Sequence, residues 1–112
     1  MSSAGRSGVR DPDATNELVR GIVASIPPGR VMAYGDIAAL LPAGGPRTVG
    51  RIMREDSHDL PWWRVVNASG RPAPGAEVAA RERYRAEGTP LKERVDGTYV
   101  VDYEATRWTP GP

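Results

Sequence analysis

The chain has 112 residues, no cysteine and a formal net charge of +1. This length suits one small domain with a single modest core, which we expect to be a monomer. The lack of cysteine excludes disulfides, thiolate zinc sites and thiol chemistry, and no apolar run approaches the roughly 20 residues that span a bilayer. We therefore expect a cytoplasmic protein with no membrane, metal or cofactor partner.

The N-terminal third predicts a tail and two helices. Residues 1–10 are rich in Ser, Gly and Arg and predict a flexible tail ahead of a domain spanning 11–112. The first helix begins at Asp11-Pro12, with Asp11 as N-cap, and ends before Pro27-Pro28-Gly29. After an extended segment at 30–32, a short helix is predicted over 34–41. Its inward-facing residues are predicted to be Ile37, Leu40 and Leu41.

A third helix is predicted over 47–55, after a Gly/Pro turn at 42–46. The two helices and their turn form a helix-turn-helix candidate. A net charge of +1 is weak evidence for a nucleic-acid partner. The hypothesis of such a partner therefore depends on a local stripe of basic residues on this helix. Its apolar face is predicted to hold Val49, Ile52 and Met53, and its basic face Arg47, Arg51 and Arg54.

The second half predicts a strand, a helix and a hairpin. Residues 60–67 predict an extended strand, followed by a Gly/Pro-rich loop at 68–75 and a helix over 76–87. Segments 92–95 and 98–101 flank Asp96-Gly97, a strong signal for a hairpin with a two-residue turn. Residues 102–112 show no periodicity, and Trp108 is predicted to anchor them. The expected fold is mainly α with a small β-hairpin, a single domain with a winged helix-turn-helix-like core.

Three ordered blocks resemble the O6-alkylguanine-DNA alkyltransferases. Residues 29–38 are similar to the segment before the family's helix-turn-helix, 47–54 to its recognition helix, and 61–67 (Pro-Trp-Trp-Arg-Val-Val-Asn) to its active-site strand. That strand is Pro-Cys-His-Arg-Val in the transferases and Pro-Trp-His-Arg-Val in alkyltransferase-like proteins. The resemblance covers roughly 13–108 and implies the DNA-binding fold of the alkyltransferase C-terminal domain.

Trp62 stands where the transferases have their acceptor cysteine, and Trp63 replaces the histidine. Alkyl transfer needs a thiolate and a base that generates it. The resemblance therefore implies a non-enzymatic sensor, without catalytic residues, that flips O6-alkylguanine out of duplex DNA and marks it for nucleotide excision repair proteins. Trp62 would be a stacking plate, although a core tryptophan is the simpler alternative. Strand alternation predicts that Trp63 faces the opposite side as a structural residue.

The resemblance also implies individual roles. Tyr34 matches the tyrosine that rotates the nucleotide outward, and Arg47 matches the arginine that fills the vacated stack. A core tyrosine and a surface arginine are the alternatives. The predicted alkylguanine pocket comprises Tyr34, Met53, Pro61, Trp62, Val65 and Ser69. The predicted DNA-binding residues are Arg47, Thr48, Gly50, Arg51 and Arg54.

Several residues leave alternatives open. Gly50 allows either close approach to DNA or packing between helices, since glycine costs about 1 kcal/mol in a helix. Glu87 matches a family glutamate that orients the histidine, and we predict a helix-end carboxylate. His58 is assigned to a loop, and Arg71 is out of register with the pocket arginine of some relatives.

Two other functions compete with the sensor of alkylated DNA. The main alternative is a helix-turn-helix regulator of undamaged DNA, and the second is an unrecognised enzyme using Glu87, His58 or a tyrosine.

Overall fold

A computed structural model describes residues 12–111; the predicted tail and the predicted N-cap Asp11 lie outside this range. The domain is mainly helical with two small β-structures, which confirms the predicted fold class. Within 12–111, no helix is long and apolar enough to cross a membrane. In chain order the elements are α1 (Pro12–Ser25), β1 (Met32–Ala33), α2 (Tyr34–Ala38), α3 (Pro46–Glu55), a 3-10 turn (Trp62–Arg64), β2 (Val65–Val66), α4 (Glu77–Glu87), β3 (Leu91–Glu93), β4 (Tyr99–Val101) and α5 (Tyr103–Thr106).

A first core lies among α1, α2 and α3. The helical spacing of α1 places Val19 and Val23 on its buried side, where they pack with residues of α2 and α3. The predicted inward position of Leu40 is wrong, because this side chain is 49% exposed. Helix α2 ends at Ala38, and a turn closed by Leu40 N to Ile37 O at 3.0 Å carries Leu40 out of the helical register.

Helix α3 has the two faces that its spacing predicts. Val49, Ile52 and Met53 are buried in the first core, while the arginines at 47, 51 and 54 are exposed. Pro46 takes the first helical position, where its missing N–H leaves no intrahelical bond unmade. The α2–α3 pair therefore presents its basic stripe to solvent.

The predicted strand over 60–67 is largely wrong. Residues Trp62–Arg64 form a 3-10 turn, and only Val65–Val66 is a strand, paired in parallel with β1. The turn begins where Trp62 N–H donates to Leu60 O at 2.7 Å, a bond that an extended chain cannot make. Strand alternation therefore does not separate Trp62 from Trp63, whose rings meet edge to face at 5.6 Å between centroids.

A second core lies between the parallel sheet, α4 and the β3–β4 hairpin. It includes Val66, Tyr84 and Val101, and Trp62 packs against both cores. The hairpin is confirmed, since β3 and β4 pair antiparallel, but the predicted two-residue turn at Asp96-Gly97 is wrong. Gly97 N–H donates to Arg94 O at 3.0 Å, which closes a three-residue loop over 95–97 in which only Gly97 has a positive φ, 91°. Helix α4 begins at Glu77, one residue later than predicted.

Two contacts fix the loop after β2 and the C-terminal segment. Gly70 has a φ of 89°, and a Cβ there would lie 2.5 Å from Val101 O, so only glycine fits. The anchoring prediction for Trp108 is confirmed. Its side chain packs on the first core, and its backbone N–H donates to Val31 O at 2.9 Å.

Candidate nucleic-acid interface

A cavity of about 560 Å³ opens beside the second helix of the helix-turn-helix. Such a volume lies in the range of small-ligand pockets. Its wall combines α3, the 3-10 turn and the loop that precedes α4, so residues distant in sequence converge on it. The lining residues are Tyr34, Gly50, Met53, Arg54, Ser57, His58, Trp62, Ala73, Pro74 and Ala76.

The structure brings together only part of the predicted pocket. Tyr34, Met53 and Trp62 line the cavity, whereas Pro61, Val65 and Ser69 are not among the described residues of its wall. The strand β2 points Val65 into the first core, where it is 1% exposed.

Pro61 and Ser69 lie elsewhere for local reasons. Pro61 lines a shallower depression on the other side of the 3-10 turn. Ser69 is exposed, and both its backbone N–H and its hydroxyl donate to the side-chain oxygen of Asn67, at 2.9 and 3.1 Å. This compact turn holds Ser69 away from the cavity.

The loop contribution is the part that sequence reasoning missed. Ala73, Pro74 and Ala76 form the wall that faces α3, and the only sequence signal was the Gly/Pro composition of their loop. His58, assigned to an ordinary loop, is exposed and reaches the same cavity. Arg71 instead lines a second cavity of about 610 Å³, which meets the first at Tyr34 and Pro74.

Tyr34 lies at the boundary of the first core and the cavity. It is the first residue of α2 and half-buried, with its ring packed on the first core. Burial raises the pKa of its phenol above the usual value, which keeps the hydroxyl protonated as a hydrogen-bond donor. The side chain of Tyr34 therefore both packs on the first core and lines the cavity.

The basic stripe of α3 has unpaired members. Among residues 12–111, Arg47 and Arg54 have no hydrogen-bonded or ion-paired acceptor, whereas Arg51 pairs with Glu55 at 3.6 Å. Arg47 lies in the first turn of α3, at the positive end of the helix dipole, where a cation is locally unfavourable. Within the described part of the chain, nothing neutralises the guanidinium groups of Arg47 and Arg54, which an anionic partner could contact.

Thr48 and Gly50 differ in what their positions require. The side chain of Thr48 lies against the turn before α3, since a Cβ on Gly44 would be 3.3 Å from its hydroxyl oxygen. Gly50 lines the cavity, and a Cβ there would meet no described atom within 4 Å. Helix packing therefore does not explain this glycine.

Glu87 anchors the tryptophan turn. It is the last residue of α4, as predicted, and it accepts hydrogen bonds from Trp63 Nε1 and Gly29 N at 2.9 Å and from the Arg64 guanidinium. Burial alone raises the pKa of this carboxyl, but the bonds from Arg64, Gly29 and Trp63 outweigh it and hold the pKa below its usual value. The sequence did not predict the hydrogen bond between Trp63 and Glu87, because the two residues are 24 positions apart.

A helix-turn-helix with an apolar cavity beside its second helix and an indole in the cavity wall fits the DNA-binding domain that the resemblance to alkyltransferases implies. A family model described as "6-O-methylguanine DNA methyltransferase, DNA binding domain" matches residues 14–89. The chain belongs to this family.

Relatives and solved structures agree with this assignment. The DNA base-flipping protein of Escherichia coli strain K12 is 37% identical over 103 residues, which cover 86% of this chain and 75% of that protein. Alkyltransferase-like protein 1 of Schizosaccharomyces pombe is 32% identical over 98 residues, covering 79% and 88%. The structure of S. pombe Atl1 in complex with damaged DNA containing O6-carboxymethylguanine superposes with a TM-score of 0.72 at 30% identity, covering 88% of this chain and 97% of that one.

Proposed function

We propose that this protein is a non-enzymatic sensor that binds O6-alkylguanine in duplex DNA by base flipping and marks it for nucleotide excision repair. The observation that carries the proposal is the place of Trp62, which occupies the acceptor-cysteine position of the family motif and lines the cavity beside α3. An indole there supplies an aromatic surface on which an extruded base can stack. The similarity to a relative bound to damaged DNA supports the same function.

Each step of recognition has a candidate residue. Arg51 and Arg54 would contact phosphates and supply affinity that is independent of sequence. Tyr34 would rotate the nucleotide outward, and Arg47, exposed at the start of α3 and without a partner among residues 12–111, would fill the vacated stack. The flipped guanine would then pack on Trp62.

The alkyl group would remain on the guanine. The sequence has no cysteine to accept it. The carboxylate that matches the family's histidine-orienting glutamate is Glu87, and it is engaged by Trp63 and Arg64. Without a thiolate and its base, transfer has no nucleophile. The result would be a distorted site in the DNA with the protein bound to it, and excision repair proteins would recognise this complex. The protein would be a cytoplasmic monomer that is associated with the nucleoid while it is bound to DNA.

Paired titrations test this function. The purified protein should bind a duplex containing one O6-methylguanine more tightly than the identical duplex with guanine, and mass spectrometry should find the methyl group still on the DNA. Equal affinity for the two duplexes would instead favour a regulator of undamaged DNA, and stoichiometric demethylation would show an enzyme.

The repair link needs a test in cells. Deleting the gene should sensitise cells to an O6-alkylating agent when excision repair is intact and add no sensitivity when excision repair is already disabled. Additive sensitivity in the double mutant would show that the protein acts outside that pathway.

A further inference from the structure

The carboxylate of Glu87 lies at a largely buried junction between α4, the 3-10 turn and the segment before β1. Its side chain is 12% exposed and that of its partner Arg64 is 14% exposed. Arg64 Nη1 also donates to Ile26 O at 2.8 Å, which ties the turn to the end of the first core. This partly buried ion pair therefore has hydrogen bonds to both neighbouring elements, which restrict its geometry.

Trp63 is held at several points by this junction. Its indole N–H donates to Glu87 at 2.9 Å and its backbone carbonyl accepts from the Tyr84 hydroxyl at 2.6 Å. The guanidinium groups of Arg83 and Arg64 lie 4.6 and 5.3 Å from its ring centroid. The ring has little freedom to rotate.

Trp63 in turn contacts the cavity wall. Its ring meets that of Trp62 at an interplanar angle of 89°, with 5.6 Å between the centroids. This edge-to-face geometry favours one relative orientation of the two rings. Since Trp62 lines the cavity, the orientation of its plate depends on a chain of contacts from Glu87 through Trp63.

We propose that Glu87 and Trp63 are positioning residues that hold the Trp62 plate in the orientation that selects alkylated guanine. The inference rests on the proposed function for its effect on DNA, and on the free protein for its geometry. A plate already fixed before binding loses less conformational entropy when a base stacks on it. The Glu87 carboxylate thus maintains the shape of the cavity by holding Trp63 against Trp62.

Two variants act on the bond between Trp63 and Glu87. Trp63→Phe keeps an aromatic ring beside Trp62 but lacks the N–H, and Glu87→Gln keeps the shape but replaces the charged acceptor with a neutral one. In each, the ratio of affinities for the O6-methylguanine and guanine duplexes should fall about three- to tenfold, the change that one ordinary hydrogen bond commonly carries. The double variant should lose little more than Trp63→Phe alone, because the bond that Glu87→Gln weakens is already absent there.

A core defect away from the residues that Trp62 packs on separates positioning from stability. Val100→Ala truncates a buried side chain of β4 that belongs to neither of the two cores described above. It should lower the melting temperature while the affinity ratio stays at the wild-type value. If Val100→Ala lowers the ratio as much as Trp63→Phe does, general destabilisation explains the effect and the positioning role is refuted.

A measurement on DNA-free protein keeps the inference independent of the proposed function. In 5-fluorotryptophan-labelled protein, the Trp62 resonance can be assigned by its loss in Trp62→Phe. Trp63→Phe should shift or broaden that resonance and leave that of Trp108 unchanged. A sharp, unshifted Trp62 resonance in Trp63→Phe overturns the proposal, whereas a shifted one in a protein without lesion preference refutes only the proposed function.

Discussion

Gly50→Ala should make the protein more stable and its DNA binding weaker. Gly50 lies inside α3, and a Cβ at this position would meet no described atom within 4 Å. Alanine in a helix interior is favoured over glycine by about 0.5–1 kcal/mol, so the free energy of unfolding should rise by that amount. For a domain of this size the melting temperature should rise by roughly 2–6 °C.

The same methyl group should obstruct DNA. Gly50 lies in the cavity wall on the arginine-bearing helix, where the proposed function brings the DNA backbone close. Without room to relax, we expect a loss of about 1 kcal/mol or more, at least about fivefold in Kd, for damaged and normal duplexes alike. Calorimetry and paired fluorescence titrations measure the two effects separately.

Gly21→Ala is the matched control. Gly21 lies inside α1, is exposed, and a Cβ there would also meet no described atom within 4 Å. It should raise the melting temperature by a similar amount and leave DNA affinity unchanged. A lower melting temperature for Gly50→Ala would show that the glycine serves helix packing, and unchanged affinity would show that DNA does not approach it.

Four further changes test the site. Trp62→Ala should reduce the preference for alkylated DNA by about 1–3 kcal/mol, the energy of base–aromatic stacking, while titrations show normal-duplex affinity largely retained. Arg47→Ala should weaken damaged-duplex binding by about 1–3 kcal/mol; Arg51→Ala should weaken both duplexes and lower the slope of log affinity against log salt by about one. Hydrogen bonds hold the folded pKa of Glu87 below its usual 4.5, so its ionised form stabilises the fold above that pH. This stabilisation should be lost as the pH falls through the folded pKa, and melting curves of Glu87→Gln should lack it.

The sequence alone determined the elements whose signals are local. The faces of α3 follow from the 3.6-residue period, since Val49, Ile52 and Met53 recur at helical spacing, and all three are buried. Asp96-Gly97 indicated the hairpin because Gly97 can adopt the positive φ that its turn needs, although pairing of the strands made the loop three residues long and not two. Three sequence blocks, including the motif around Trp62, identified the family, because their residues and their order can be seen in the sequence without knowing how the blocks pack.

Tertiary structure decided how those elements meet. The mostly apolar run Trp-Trp-Arg-Val-Val fits a strand as well as a 3-10 turn. Hydrogen bonds between Trp63 and two residues of α4, Glu87 and Tyr84, more than 20 residues away, favour the turn. The same holds for the loop at 73–76, whose composition predicts a turn but not the wall that it forms opposite α3. Local propensity specifies which conformations a segment can adopt, and contacts between segments distant in sequence select among them.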